Sequence, residues 1–332
     1  MSHGPVGALA PSRTDARPVL TGPDELGERV RATLELLERR GYTLPVEGFA
    51  ANLYGGALPV PEVRTAIDRL SDVRLRDGHV VSTDGERLVA SSRQRQERHP
   101  AESPAYREIA TGFAQELIDT CPWVSSVLIA GSLATGGFVE EDDVDFNLIV
   151  EDGTKYITYV LSLALGVRFA WRRRGRPVGD TARMPFVSKL ICLNVVWELG
   201  QTSPFTRNDP GMAFELLLNR PVFGHEAFYR CLTENPSVVA HFPQMATTRN
   251  PTSLARRPNR LGRLLARIVG RPGPRRALNE ACFLVSRAIH AWVRWTRRNN
   301  ADAREHVEFV DALKHPYAIL DRPESDRAQL DG

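Results

Sequence analysis

Lysine is almost missing from this chain of 332 residues: Lys155, Lys189 and Lys314 stand alone, and the rest of its 43 basic side chains are arginines. Arginine codons are GC-rich and lysine codons AT-rich, so base composition explains the imbalance. No arginine is read as functional on that ground, while each rare lysine is worth following. Cysteine is also scarce. Cys121, Cys192, Cys231 and Cys282 are scattered, which excludes a disulfide scaffold and zinc-ligand spacing, and they read as free thiols of a reducing cytoplasm. Long apolar runs are lacking. The most apolar windows, 157–171 and 281–295, are short and carry Arg168, or Arg287 and His290, so neither reads as a membrane span. The N-terminus has no basic flank followed by an apolar run, which argues against a signal peptide. The expectation is a cytoplasmic protein with no membrane partner.

What is present is ordinary globular material. Apolar residues make up 42% and charged residues 25%, with a net charge of +3, so the balance does not mark a dedicated nucleic-acid binder. The length suits two or three domains.

The chain reads as four segments. Residues 1–23 are rich in Gly, Pro, Ala and Ser without apolar period, which predicts a disordered tail. Residues 24–91 predict three helices and a hairpin. Leu26, Val30, Leu34 and Leu37 recur at helical spacing before Gly41. A second helix is expected over 46–54 and a third from Pro59 or Pro61, with Val63, Ile67 and Leu70 on one face. Two strand-like runs, 79–82 and 87–90, flank Asp84-Gly85, a hairpin signal. That order is a winged helix-turn-helix, whose third helix carries Arg64 and Arg69 beside Glu62 and Asp68. Its weakly basic surface suits packing or partner binding at least as well as DNA.

Residues 92–200 predict an α/β core. After a polar stretch over 91–104, a linker or an exposed helix, come a helix over 106–120, strands over 124–130 and 144–150, an apolar helix over 154–169 and a strand over 190–197. Residues 201–332 predict a helical C-terminal region, with helices over 211–219, 226–234, 261–269 and 278–298 and a last one before His315-Pro316. The fold class expected is therefore α+β.

The chemistry concentrates in Gly131-Ser132-Leu133-Ala134-Thr135-Gly136-Gly137, followed by Asp143-Val144-Asp145. Gly131 lets the chain turn sharply where a strand ends and lets backbone approach a ligand. Ser132 offers a hydroxyl and an N–H at the start of a helical turn, where phosphate oxygens are welcome. Asp143 and Asp145, two apart on a strand, point to the same face. Paired carboxylates repel unless a cation joins them, and hard oxygen donors suit Mg²⁺ or Mn²⁺. A solvated polar turn accounts for part of the run from Glu140 to Asp145, but the Gly-Ser turn at this distance favours the metal reading. Asn147, two residues beyond Asp145, is either a supporting polar group or an ordinary strand residue.

Gly-Ser, about ten residues, then Asp-x-Asp on a strand resembles the signature of the polymerase-beta-like nucleotidyltransferase superfamily. The architecture is similar to bacterial and archaeal proteins that join a winged helix to such a domain. The similarity extends through 190–197, 219–243 and 312–317. It implies that Asp143 and Asp145 are catalytic and ligate two metal ions, Mg²⁺ or Mn²⁺. Gly131 and Ser132 would bind the nucleoside triphosphate, and a nucleoside monophosphate would pass to an acceptor with release of pyrophosphate.

The superfamily usually carries a third carboxylate on a later strand. Here the matching run, Lys189 to Glu198, has Asn194 at the expected position. Asn194 can ligate through its carbonyl oxygen but cannot act as a base. Glu198, four residues on, is the carboxylate facing the same side and the candidate substitute. Lys155 and Lys189 flank the site and are candidate phosphate contacts, with a surface position as the ordinary alternative.

From Arg249 to Arg298 thirteen arginines face the single acidic Glu280. The apolar residues of these helices, Leu261, Leu264, Leu265 and Ile268, then Cys282, Val285, Ile289 and Trp292, are expected to pack on the core. A groove for triphosphate or RNA backbone competes with an arginine-rich solvated face. The leading expectation is a metal-dependent nucleotidyltransferase with a small-molecule or macromolecular acceptor, nucleic acid not favoured. The alternative is a catalytically weak or inactive nucleotide- or nucleic-acid-binding regulator.

Overall fold

The computed structural model describes residues 23–173, 189–246 and 253–299, and the isolated positions 301, 304, 308, 319 and 320. The expected N-terminal tail, the last helix and the 312–317 similarity lie outside the described residues, as do Lys314 and Arg249. The fold is α+β, with N-terminal helices and a small hairpin, a central mixed sheet and C-terminal helices. The chain divides into two units. One comprises residues 1–100, 207–218 and 232–249, and the other 101–206, 219–231 and 250–332. The division cuts across the expected C-terminal region, whose segments belong to both.

In the first unit, α1 (Pro23–Glu38), α2 (Val46–Ala51) and α3 (Val60–Ile67) follow the apolar periods of the sequence. Val30, Leu34, Leu37, Phe49, Val63 and Ile67 are buried, and Gly41 leaves α1 at a φ of +76°. The hairpin differs from the expectation. It is β1 (Val73–Arg76) with β2 (His79–Ser82), antiparallel, turning at Asp77 and Gly78. Both turn residues have positive φ, +48° and +80°, which matches the twist of a two-residue hairpin. Asp84-Gly85, the other Asp-Gly pair, serves a different end. Gly85 lies against Glu38, whose carboxylate accepts from the Ser82 N–H and hydroxyl, and a Cβ at Gly85 would collide with it.

Consequently 87–90 is not a strand but the start of α4 (Arg87–Thr120), 34 residues long. Of the two readings of the polar stretch 91–104, the structure has the exposed helix, and Pro100 and Pro104 lie within it.

The second unit holds β3 (Val124–Ile129), α5 (Gly131–Thr135), β4 (Val144–Val150), α6 (Lys155–Arg172) and β5 (Ile191–Glu198). α7 (Pro210–Leu218) belongs to the first unit. β6 (Arg220–Phe223) then adds an edge strand beside β3, and Pro221 is tolerated because the strand is an edge. α8 (His225–Thr233) follows, α9 (Pro236–Val239) belongs to the first unit, and α10 (Arg260–Val269) and α11 (Pro272–Arg297) belong to the second. The sheet order is β5-β4-β3-β6, with β4 and β5 parallel and the other pairs antiparallel.

The core lies where α4 and α6 cover this sheet. Phe113 is fully buried and meets the rings of Phe146 and Phe169 at 5.0 and 5.7 Å. The buried Trp123 donates its indole N–H to the Thr158 hydroxyl at 2.7 Å. The α10 and α11 faces do not pack as fully as their spacing implied. Leu265 and Cys282 pack on the core, but Leu261, Leu264, Val285 and Trp292 remain exposed. α11 packs on α6, and α10 on α11, rather than on the strands of the sheet. No helix among the described residues is long and apolar enough to cross a membrane.

Candidate metal and nucleotide site

The site sits where β3 and β4 meet at one end of the sheet. β3 delivers the chain to Ala130, whose N–H donates to the Asp145 carbonyl at 2.9 Å. Gly131 then turns at a φ of +61°, a region costly for residues with a Cβ. Sterics demand glycine independently, because a Cβ here would fall 2.0 Å from Asp145 Oδ2. α5 is one short turn, closed by Gly136 and Gly137, whose N–H groups donate to the Ser132 carbonyl at 3.1 Å each.

Ser132 does not stand alone. Its hydroxyl donates to Asp142 Oδ2 at 2.6 Å, and the Val139 N–H donates to the same oxygen at 3.3 Å. Asp142 therefore ties the Gly-Ser turn to the loop that leads into β4. This separates the acidic run by role: Asp142 is a brace, while Asp143 and Asp145 turn to the other strand neighbour.

That neighbour is β5. Asp145 is directly opposite Cys192, and Phe146 opposite Leu193. The register then slips, so that Asn147 faces Val195 and Asn194 is the extra residue of a bulge. The group beside the aspartate pair is thus Cys192. Ligand atoms of Asp143, Asp145 and Cys192 all lie within 4.8 Å of one another. The Cys192 thiol donates to Asn194 Oδ1 at 3.2 Å, so Asn194 borders the cluster through that sulfur.

Lys189, which precedes β5, reaches into the same cluster. Its ammonium lies 2.6 Å from Asp143 Oδ2 and 2.8 Å from Cys192 Sγ. Burial alone would lower the lysine's pKa, but Cys192, Asp143 and Asp145 together hold it above the ordinary range. Burial, and then the charge of Asp143, push the Asp145 carboxyl up to about 8, against the opposing pull of Lys189 and the Cys192 hydrogen bond. Burial also raises the Cys192 thiol. Two carboxylates plus one sulfur are a donor set that fits a divalent cation. The oxygens suit Mg²⁺ or Mn²⁺, and the softer sulfur suits Mn²⁺ better than Mg²⁺.

Two sequence candidates stand apart from this cluster. Glu198 is level with Val150, some 17 Å along the strand from Asp145 at about 3.3 Å per residue. Its carboxylate accepts from the N–H groups of Gly153, Thr154 and Lys155 at 2.8, 3.1 and 3.2 Å, and so caps α6. Lys155 begins that helix at the same far end. It is buried, with its ammonium 5.6 Å from the Tyr156 ring. The carboxylate matching the helix cap and the one matching the metal site look alike in sequence, and only strand register separates them. Asn147, fully buried, donates to Asn219 Oδ1 at 3.1 Å and belongs to the packing behind the site.

Sequence reasoning passed over two residues. Cys192 was read as a scattered thiol, and its alternation with Asn194 on β5 was the only signal available. Arg220, at the start of β6, donates from Nε to the Ala134 carbonyl at 3.3 Å and places a guanidinium beside the Gly-Ser turn. Nothing in its sequence context distinguishes it from the other arginines. No family model matches the chain, and no curated protein shows significant similarity to it.

Proposed function

We propose that the chain is a metal-dependent nucleotidyltransferase, moving a nucleoside monophosphate from a nucleoside triphosphate to an acceptor and releasing pyrophosphate. The observation that carries this reading is the fit of Gly131 against Asp145. A backbone turn with no side chain packs directly on one of two adjacent carboxylates, which sets the Gly-Ser turn immediately beside the pair that would ligate a metal. Asp143 and Asp145 hold Mg²⁺ or Mn²⁺, which supplies charge neutralisation at the phosphates and a more acidic acceptor hydroxyl. Gly131 admits the triphosphate, and Ser132, oriented by Asp142, lines the turn. Lys189 and Arg220 bring positive charge to the phosphates. In the first unit, α1–α3 with the β1–β2 hairpin are read as a winged helix-turn-helix. On α3 the Arg64 guanidinium lies 3.8 Å from Glu47, so part of its charge is offset on the surface of the unit.

The test is transfer of label from an α-labelled nucleoside triphosphate in the presence of Mg²⁺ or Mn²⁺. Asp145→Asn is expected to abolish it, and undiminished transfer by that variant would sink the assignment. A second reading rests on β5, which offers Cys192 and Asn194 where a third carboxylate is usual. It makes the protein a nucleotide-binding regulator with little or no transfer. Thermal stabilisation by a triphosphate and Mn²⁺, with no acceptor labelled, would favour it.

A further inference from the structure

We propose that Lys189 is the resident cation of the Asp143–Asp145–Cys192 cluster, a tethered counter-ion that a divalent metal must displace and that a triphosphate draws away. The inference rests on the metal reading of that cluster. Its basis is position. The three ligand atoms lie within 4.8 Å of one another, and the Lys189 ammonium is 2.6 Å from one and 2.8 Å from another. Carboxylate oxygens bind divalent cations at about 2.0–2.6 Å, so the ammonium takes nearly the place a metal would take. Two cations cannot share it.

The lysine is built to leave. The Leu190 carbonyl accepts from the Val144 N–H at 2.8 Å, which fixes the strand start while the four-carbon stem stays rotatable. The Lys189 side chain is only partly enclosed, at 31% exposure. Metal alone then has to compete with a covalently attached cation. Metal with triphosphate does not, because phosphate oxygens offer the ammonium a new partner. Binding of the two is coupled, and Lys189 carries the coupling.

The test is Mn²⁺ binding to the full chain, read from the loss of the free-ion paramagnetic resonance signal, with and without a non-hydrolysable triphosphate analogue. Lys189→Met is expected to bind Mn²⁺ alone about tenfold more tightly than the wild type, the lower end of what one adjacent charge does. The analogue should then strengthen Mn²⁺ binding less than it does in the wild type, once the Mn²⁺ taken up by free analogue is measured in parallel and subtracted. Lys189→Arg keeps the charge and should keep the weak binding. Unchanged or weaker Mn²⁺ affinity in Lys189→Met overturns the proposal. If that result comes with loss of binding in Asp145→Asn, the metal reading stands and only the role of Lys189 falls. If no protein binds Mn²⁺ in an Asp145-dependent way, both fall. Should Lys189→Met fail to fold, the wild type answers by itself. With three lysines in the chain, ¹³Cε-lysine labelling yields three resonances, and saturating Mg²⁺ must shift that of Lys189. A resonance that stays in place overturns the proposal equally.

Discussion

Gly131 and Asp145 are complementary: the carboxylate occupies the space that a side chain on residue 131 would need, with Oδ2 only 2.0 Å from the position of a Cβ. Glycine is required there by its φ of +61° and again by its neighbour. Gly131→Ala should therefore push Asp145 out of line with Asp143. A displacement near 1 Å is enough to cost about 100-fold in rate. Steady-state transfer assays check this, and a variant within a few-fold of wild type would detach the turn from the chemistry.

The raised carboxyl of Asp145 makes metal-free stability depend on pH. Its folded value is about 8, well above the roughly 3.9 of an unfolded aspartate. The folded state thus holds the proton more tightly. The resulting stabilisation is complete below the unfolded value and is lost as pH rises through about 8. Asp145→Asn lacks this ionisation, so it should gain stability relative to wild type as pH climbs from 4 to 8. Urea melts in chelator at several pH values measure the difference, and a pH-independent gap would contradict the burial argument.

Glu198 provides a control at the other end of the sheet. Its Oε1 accepts three N–H groups at the start of α6, where a negative charge also complements the positive end of the helix dipole. Glu198→Ala should destabilise the fold by about 1–2 kcal/mol. Mn²⁺ affinity should be unaffected, because the residue lies far from Asp145 on β5. A large loss of metal binding without loss of stability would restore Glu198 as a ligand.

Phe113 supports the strand that carries the carboxylates, since its ring packs on Phe146, next to Asp145. Phe113→Ala should cost about 3–5 kcal/mol, as for other fully buried aromatic truncations. Chemical denaturation reads the loss directly.

Much of the second unit was legible because its signals are local. The apolar runs of β3 and β4, the glycine between them and the two-residue spacing of Asp143 and Asp145 need no distant partner to be read. The helices of the first unit followed from period and stop signals in the same way. The hairpin was misplaced because two Asp-Gly pairs offered equally good turns. The choice between them depended on Glu38, far away in sequence, reaching Ser82.

The sequence by itself determined the strand–turn–strand that presents Gly131, Ser132, Asp143 and Asp145, because alternation and turn chemistry act over a few residues. Tertiary structure alone decided what joins them. The register of β4 on β5 set Cys192 opposite Asp145 and Glu198 opposite Val150, at the far end of the strand, where it caps a helix. Strand register is a property of the paired chains, and a one-residue slip changes every neighbour. That is why Lys189, a rare lysine in the sequence, became the cation between Asp143 and Cys192 only once β4 and β5 were laid side by side.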